Sequence, residues 1–224
     1  MTERVASARI LYVMAAEAEY GARLRARIRP LITGVGPVEA AVSTAMTLFA
    51  HESAGERPDL VVSLGSAGSA TLEQGRVYQV SSVSWRDIDA TALGFAPGTT
   101  PFLEEKAEVE LPVALPDMPT ARLSTGGNVV SGAGYGAIDA DMVDMETHAV
   151  RRAAYRFGVP VVGFRGISDG AEELRGYKDW TRLLSAIDEE LAATVDKLER
   201  AIVRGQVRMD DLRERAGLNV NAPA

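Results

Sequence analysis

The run from Val159 to Phe164 is apolar and rich in β-branched residues, with Gly158 before it and Gly166 after it, and Arg165, Ser168 and Asp169 follow directly. Such a run has no polar alternation, so it reads as a central strand covered on both faces. Its carboxyl end carries a cation, a hydroxyl and an acid. In open α/β sheets that end of the strands is where ligands bind. One segment therefore suggests both a buried sheet and the edge of a polar site.

The rest of the chain repeats the alternation of strand and helix. Arg9 to Met14 reads as a strand, and Ala15 to Arg27 as a helix with Glu17 and Glu19 in its first turn, where acids suit the positive helix end. Pro30 to Thr33 is a short strand. Gly34-Val-Gly36 leads into Pro37, and a helix through His51 gathers Val38, Ala41, Val42, Ala45, Met46 and Phe49 on one face. Pro58 to Leu64 is a buried strand ending in Gly65-Ser66-Ala67-Gly68, which in isolation reads as a tight turn. Arg76 to Val83, Arg122 to Thr125 and Val129-Val130 are further strand pieces, and a helix runs from about Asp144 to Phe157. Trp180 to Arg204 is one long amphipathic helix. The expected architecture is a single-domain, three-layer α/β/α fold around a mixed, mainly parallel sheet, spanning residues 1–204. Residues 205–224 read as a helical appendage over Val207 to Ala216 and a frayed tail from Asn219.

Composition narrows the function classes. The 224 residues carry a formal charge of −7, and the isoelectric point is about 5.0. No basic stripe is available to offset phosphate charge, which argues against a nucleic-acid or acidic-membrane partner. With no cysteine there is no thiolate nucleophile or disulfide, and His51 and His148 are too far apart for a local metal motif. No uncharged stretch is long enough to span a bilayer, so the expected location is the cytoplasm.

Three carboxylates fall near strand-to-helix junctions: Glu19, Glu146 and Asp169. Carboxylates suit glycosidic hydrolysis, where one protonates the leaving group, another deprotonates water, and negative charge stabilises an oxocarbenium-like transition state. Taken singly, Glu19 also fits a solvated helix-terminus acid, and Asp169 a turn or cap. Glu146 is less easily explained that way. It follows Met142-Val-Asp-Met145, where an unpaired buried acid would be costly without a ligand or an arginine.

Six segments in order carry a family resemblance: Met14-Ala-Ala-Glu-Ala-Glu19, Gly34-Val-Gly36, Gly65-Ser-Ala-Gly68, Asp87-Ile-Asp-Ala-Thr-Ala-Leu-Gly94, Val143-Asp-Met-Glu146 and Arg165-Gly-Ile-Ser-Asp169. From about Arg9 to Ile202 the chain resembles the purine nucleoside phosphorylase superfamily, and within it the 5′-methylthioadenosine/S-adenosylhomocysteine nucleosidases. The resemblance implies hydrolysis of an N-glycosidic bond with no metal or organic cofactor. By motif position it implies that Asp169 protonates the base, that Ser168 bonds to Asp169, and that Glu19 activates water. It also implies that Glu146 holds the ribose hydroxyls over Met145, and that Arg165 and Ser66 fix the water and the neighbouring acids. Ala67, Gly68, Val129 and Val130 would complete the substrate wall. Phosphorylases of this family place an arginine two positions before the Gly-Ser segment and a Gly-Asp-Pro-x-Arg segment after the first strand. Here those places hold Ser63 and Met14-Ala-Ala-Glu, so a phosphate dianion would meet an acid, and water is the favoured nucleophile.

The chain also departs from the family pattern. It is short between its first helix and Gly34, Arg86 stands where a histidine is usual, and Val129 stands where an aromatic stacks on the base. The resemblance further implies a homodimer whose partner closes the 5′ side of the pocket, with Trp85, Leu93, Phe95 and Phe102 at the interface. Alternatives are a nucleosidase for another purine nucleoside of the futalosine type, and a nucleoside-binding protein without turnover.

Overall fold

The computed structural model describes residues 2–218, so the tail from Asn219 lies outside the described residues. The chain opens with a hairpin of β1 (Glu3–Val5) and β2 (Ala8–Met14), then the short helix α1 (Ala22–Arg25) and strand β3 (Leu31–Ile32). Helix α2 (Pro37–Ser53) leads to the buried strand β4 (Leu60–Gly68) and to β5 (Val77–Trp85). Strands β6 (Glu108–Glu110), β7 (Thr120–Thr125) and β8 (Met142–Asp144) follow, then helix α3 (Thr147–Arg156) and strand β9 (Val161–Asp169). Helices α4 (Tyr177–Thr181), α5 (Leu184–Val203) and α6 (Met209–Arg215) complete it.

The nine strands of the described residues form one sheet. Strand β4 pairs with β9, β9 with β5, β5 with β7, β7 with β8, and β8 returns to β4, so five strands close into a ring. Closure removes free edges at the centre of the fold. It also mixes directions. Among the described residues, β2–β3, β2–β4, β4–β9, β5–β7 and β7–β8 are parallel, while β1–β2, β4–β8, β5–β6 and β5–β9 are antiparallel. The sheet is mixed, as expected, and its antiparallel pairings include β5 and β8 running against β9 and β4 to close the ring.

Period-two alternation along the strands feeds two cores. Ile10, Tyr12 and Met14 of β2 face Leu191, Val195 and Leu198 of α5, whereas Leu11 and Val13 join Leu48 of α2 and Val150 of α3. Val207 and Leu212, in the segment read as an appendage, sit in the first of these clusters. Among the described residues no helix is long and apolar enough to cross a membrane.

Four expected elements change. The helix expected over Ala15 to Arg27 is only Ala22–Arg25, because Asp188 of α5 accepts from the backbone N–H groups of Arg23 (2.8 Å) and Leu24 (3.1 Å) and starts the helix there. Gly65 to Gly68 is not a turn but the end of β4, held in register by β9. Val129-Val130 is loop. The long C-terminal helix is interrupted at Arg182-Leu183, leaving α4 free to turn toward the sheet end.

Gly166 of β9 lets α5 lie close, since a Cβ there would collide with the Ile187 side chain. Gly166→Ala should therefore destabilise the fold by about 1–3 kcal/mol through overpacking, read from urea unfolding midpoints.

Candidate active site

A cavity of about 420 Å³ opens at the carboxyl ends of β4 and β9, where the sheet ring meets the start of α3. The turn after β2 supplies Ala15, Ala16 and Glu19, and β4 supplies Ser66, Ala67 and Gly68. Val143 to Glu146, Ser168 and Asp169 form the floor, with Asn128, Val129 and Val130 on one side and Tyr177 and Trp180 on the other.

Glu19 is turned inward because residues 15–21 do not form a helix, and it is only 6% exposed. Its Oε1 accepts from the Ser66 backbone N–H (2.7 Å) and from the Ser66 hydroxyl (2.6 Å), while Oε2 has no partner among the described residues. Burial pushes its carboxyl up, and the Ser66 hydrogen bonds and Arg165 pull in the opposite direction. An acid held this way is suited to receive a proton.

Glu146 sits at the N-cap of α3, and its Oε1 accepts from the Gly36 N–H at 2.8 Å. Burial, helped by the charge of Asp144, pushes its carboxyl up to about 7. Asp169 ends β9. Its Oδ1 accepts from the Ser168 hydroxyl (2.7 Å) and its Oδ2 from the Tyr135 hydroxyl (2.9 Å). Gly68 makes this approach possible, because a Cβ there would strike the Tyr135 hydroxyl and the Asp169 carboxylate. Burial first, then the charge of Asp169, pushes the Tyr135 phenol up, so it stays a neutral hydrogen-bonding group.

Arg165 is placed differently from the other site residues. It is 2% exposed and lies beneath the cavity, with Nε at 3.1 Å and Nη2 at 3.0 Å from Asp144 Oδ2. Nη2 also donates to Ser63 (2.9 Å) and Thr147 (2.6 Å), and Nη1 to the Phe164 carbonyl (3.0 Å). Its donors are spent on protein groups, so it positions the floor rather than reaching into the cavity. Val130 is buried, Val129 is exposed at the rim, and Met145 lies between Asp144 and Glu146 on the floor.

The motif reading assigned no role to Asp144, Tyr135, Trp180 or Tyr177. Asp144 was visible within Val143-Asp-Met-Glu146, but nothing local marks it as the partner of Arg165. Tyr135 lies in a glycine-rich connection, Trp180 opens what reads as a long helix and Tyr177 falls just before it, so no spacing signal brings them to the site. Arg86 is pinned across Gly126, donating to the carbonyls of Ser124 (2.6 Å), Asp144 (3.0 Å) and Asn128 (2.6 Å).

A family model described as Phosphorylase superfamily matches residues 128–204. The 5′-methylthioadenosine/S-adenosylhomocysteine nucleosidase of Staphylococcus aureus (strain MRSA252) is 32% identical over 158 residues, which cover 61% of this chain and 66% of that protein. The chain thus spans just under two thirds of that relative's length. The solved structure of the corresponding nucleosidase from Colwellia psychrerythraea 34H in complex with adenine superposes with a TM-score of 0.71 at 20% identity, covering 89% of this chain and 96% of that one. The futalosine hydrolase of Helicobacter pylori strain 26695 gives 0.67 at 19% identity, covering 88% and 97%. Over residues 128–204 the chain is similar to the phosphorylase superfamily, and its fold is similar to that of the solved nucleosidases. Among the proteins compared, the 5′-methylthioadenosine/S-adenosylhomocysteine nucleosidases are those the chain resembles in sequence, in line with the six ordered motifs.

The elevated Glu146 carboxyl has a consequence for stability. A folded-state value of about 7 against an ordinary 4.5 means the folded chain binds more protons across that interval, so this group makes stability fall as pH rises through it. Glu146→Gln should flatten that part of the stability-against-pH curve, and denaturant titrations at pH values across the interval would read it; an unchanged slope would place the titration elsewhere.

Proposed function

We propose that this chain is a purine nucleosidase that hydrolyses the N-glycosidic bond of 5′-methylthioadenosine and S-adenosylhomocysteine, giving adenine and the 5-thio-substituted ribose. The observation that carries the reading is the trio of carboxylates around one cavity, each with a different set of donors: Glu19 with Ser66, Glu146 with Gly36, and Asp169 with Ser168 and Tyr135. Asp169 gives a proton to N7 of the base, so the glycosidic electron pair leaves on N9 of a neutral adenine. Glu19 takes a proton from water as the resulting hydroxide bonds to C1′. Glu146 accepts from the ribose hydroxyls, and Met145 packs beneath the sugar. Solvent restores the proton to Asp169, and the proton on Glu19 returns to solvent. A positioned acid or base is worth roughly 10²- to 10⁴-fold in rate.

Water is favoured over phosphate as nucleophile by the charge of the lining. Glu19, Glu146 and Asp169 line the cavity, Asp144 is paired with Arg165 beneath it, and the lining cation Arg86 is already bonded to three carbonyls. A dianion entering this cavity would be repelled. A second reading, a nucleosidase for a futalosine-type nucleoside, is favoured by the base wall, where Val129 stands in the usual aromatic position and Tyr135 brings a hydroxyl to Asp169. Both readings use the same acid and base.

Purified protein should release free base without added phosphate, and Asp169→Asn should lower kcat at least about 100-fold while ligand binding persists. Chromatography of the products from methylthioadenosine, adenosylhomocysteine, adenosine and futalosine, with and without phosphate, separates the readings. Phosphate-dependent release, or full turnover by Asp169→Asn, would remove the mechanism.

We also propose a homodimer. The face of α2 gathered by sequence periodicity is turned to solvent: Val38 is 72% exposed, Met46 68% and Phe49 64%, whereas Ala40, Thr44 and Leu48 are the buried face. Leu93 and Phe102 are exposed as well, and Phe102 meets Phe95 edge to face. A contiguous apolar helix face is a common mark of an interface. Sedimentation velocity should show a dimer for the parent chain and a monomer for Met46→Asp/Phe49→Asp. A parent that sediments as a monomer at micromolar concentration would overturn this proposal.

A further inference from the structure

Helix α4 follows Asp169 by the short segment 170–176 and turns its aromatic face to the cavity, with Tyr177 against Trp180 edge to face at 5.4 Å. The Trp180 indole Nε1 lies 3.0 Å from the Ser66 hydroxyl oxygen. An indole nitrogen can only donate, so at this contact Ser66 accepts. The single Ser66 hydroxyl hydrogen is then left for Glu19 Oε1, which lies 2.6 Å away and already takes the Ser66 backbone N–H. Without the indole, the serine rotor would have no such constraint.

We propose that Trp180 is a positioning residue for Glu19, acting through Ser66: its N–H fixes the Ser66 hydroxyl in the orientation that donates to the acid. The proposal rests on the reading of Glu19 as the group that activates water. The indole occupies the serine acceptor site, the serine saturates Oε1, and Oε2 is the carboxylate oxygen left without a partner to take a proton. The segment leaving Asp169 thus also carries the residue that orders Glu19.

Trp180→Phe keeps the ring and removes the N–H. It should lower kcat about fivefold, the worth of one neutral hydrogen bond, with KM changed less than about twofold. Because the Ser66 hydrogen bonds hold the Glu19 carboxyl down against burial, the acid limb of the kcat profile should move to higher pH. In a Ser66→Ala background the same substitution should have no further effect. Equal losses in both backgrounds, or a rise in KM alone, would make Trp180 only a cavity wall and overturn the proposal.

A second readout does not need turnover. The chain has two tryptophans, Trp85 and Trp180, so two indole N–H signals are expected in a ¹⁵N NMR spectrum, and Trp180→Phe assigns one of them. That signal should shift in Ser66→Ala and in Glu19→Gln, two variants that leave the indole ring in place. If it does not shift in either, the relay is overturned even where activity is normal. If it shifts in both but the parent releases no base from any nucleoside, the relay stands and the reading of Glu19 as a hydrolytic base falls.

Discussion

The buried ion pair between Arg165 and Asp144 is the interaction on which the site depends. Their side chains are 3% and 1% exposed, and removing two charges from water is costly unless hydrogen bonds satisfy what the pair leaves over. Here they do. Asp144 accepts from the hydroxyls of Thr125 and Thr147 and from the Thr147 N–H, while Arg165 also reaches Ser63 and the Phe164 carbonyl. The contacts tie together β4, β7, β8, β9 and the first turn of α3. Strand β8 is three residues long and has little ladder of its own to hold it. Glu146 lies two residues beyond Asp144, and Ser168 and Asp169 lie three and four beyond Arg165, so the pair sets the floor from which both acids project.

Much of this was legible in the sequence because it is local. The Val159 run is unusually apolar and does supply a fully buried strand, though the strand begins at Val161 and extends through Asp169. The three carboxylates line one cavity because each lies at the carboxyl end of a strand or just past it. What escaped reading is set by distant partners. The helix expected after Met14 is shortened by Asp188, more than 160 residues away, and that shortening turns Glu19 inward. Gly65 to Gly68 has the composition of a turn, but pairing with β9 outweighs local preference. Periodicity grouped the apolar residues of α2 correctly, yet periodicity cannot say which side of a helix faces the core. Ala40, Thr44 and Leu48 take that side, and the more hydrophobic stripe is left outside.

The acids in the cavity also constrain one another. Glu19 and Glu146 are each pushed toward the neutral form, mainly by burial, and the charge of Glu19 adds to the upward push on Glu146. Two such groups resist being ionised together, and the donors around them bias which one carries the charge. Glu19 has two donors from Ser66, one of them oriented by Trp180, whereas Glu146 has the Gly36 N–H. These donors oppose the upward push of burial at each carboxyl, two of them at Glu19 and one at Glu146. Two residues of the same type are thus given different surroundings by what hydrogen-bonds to each.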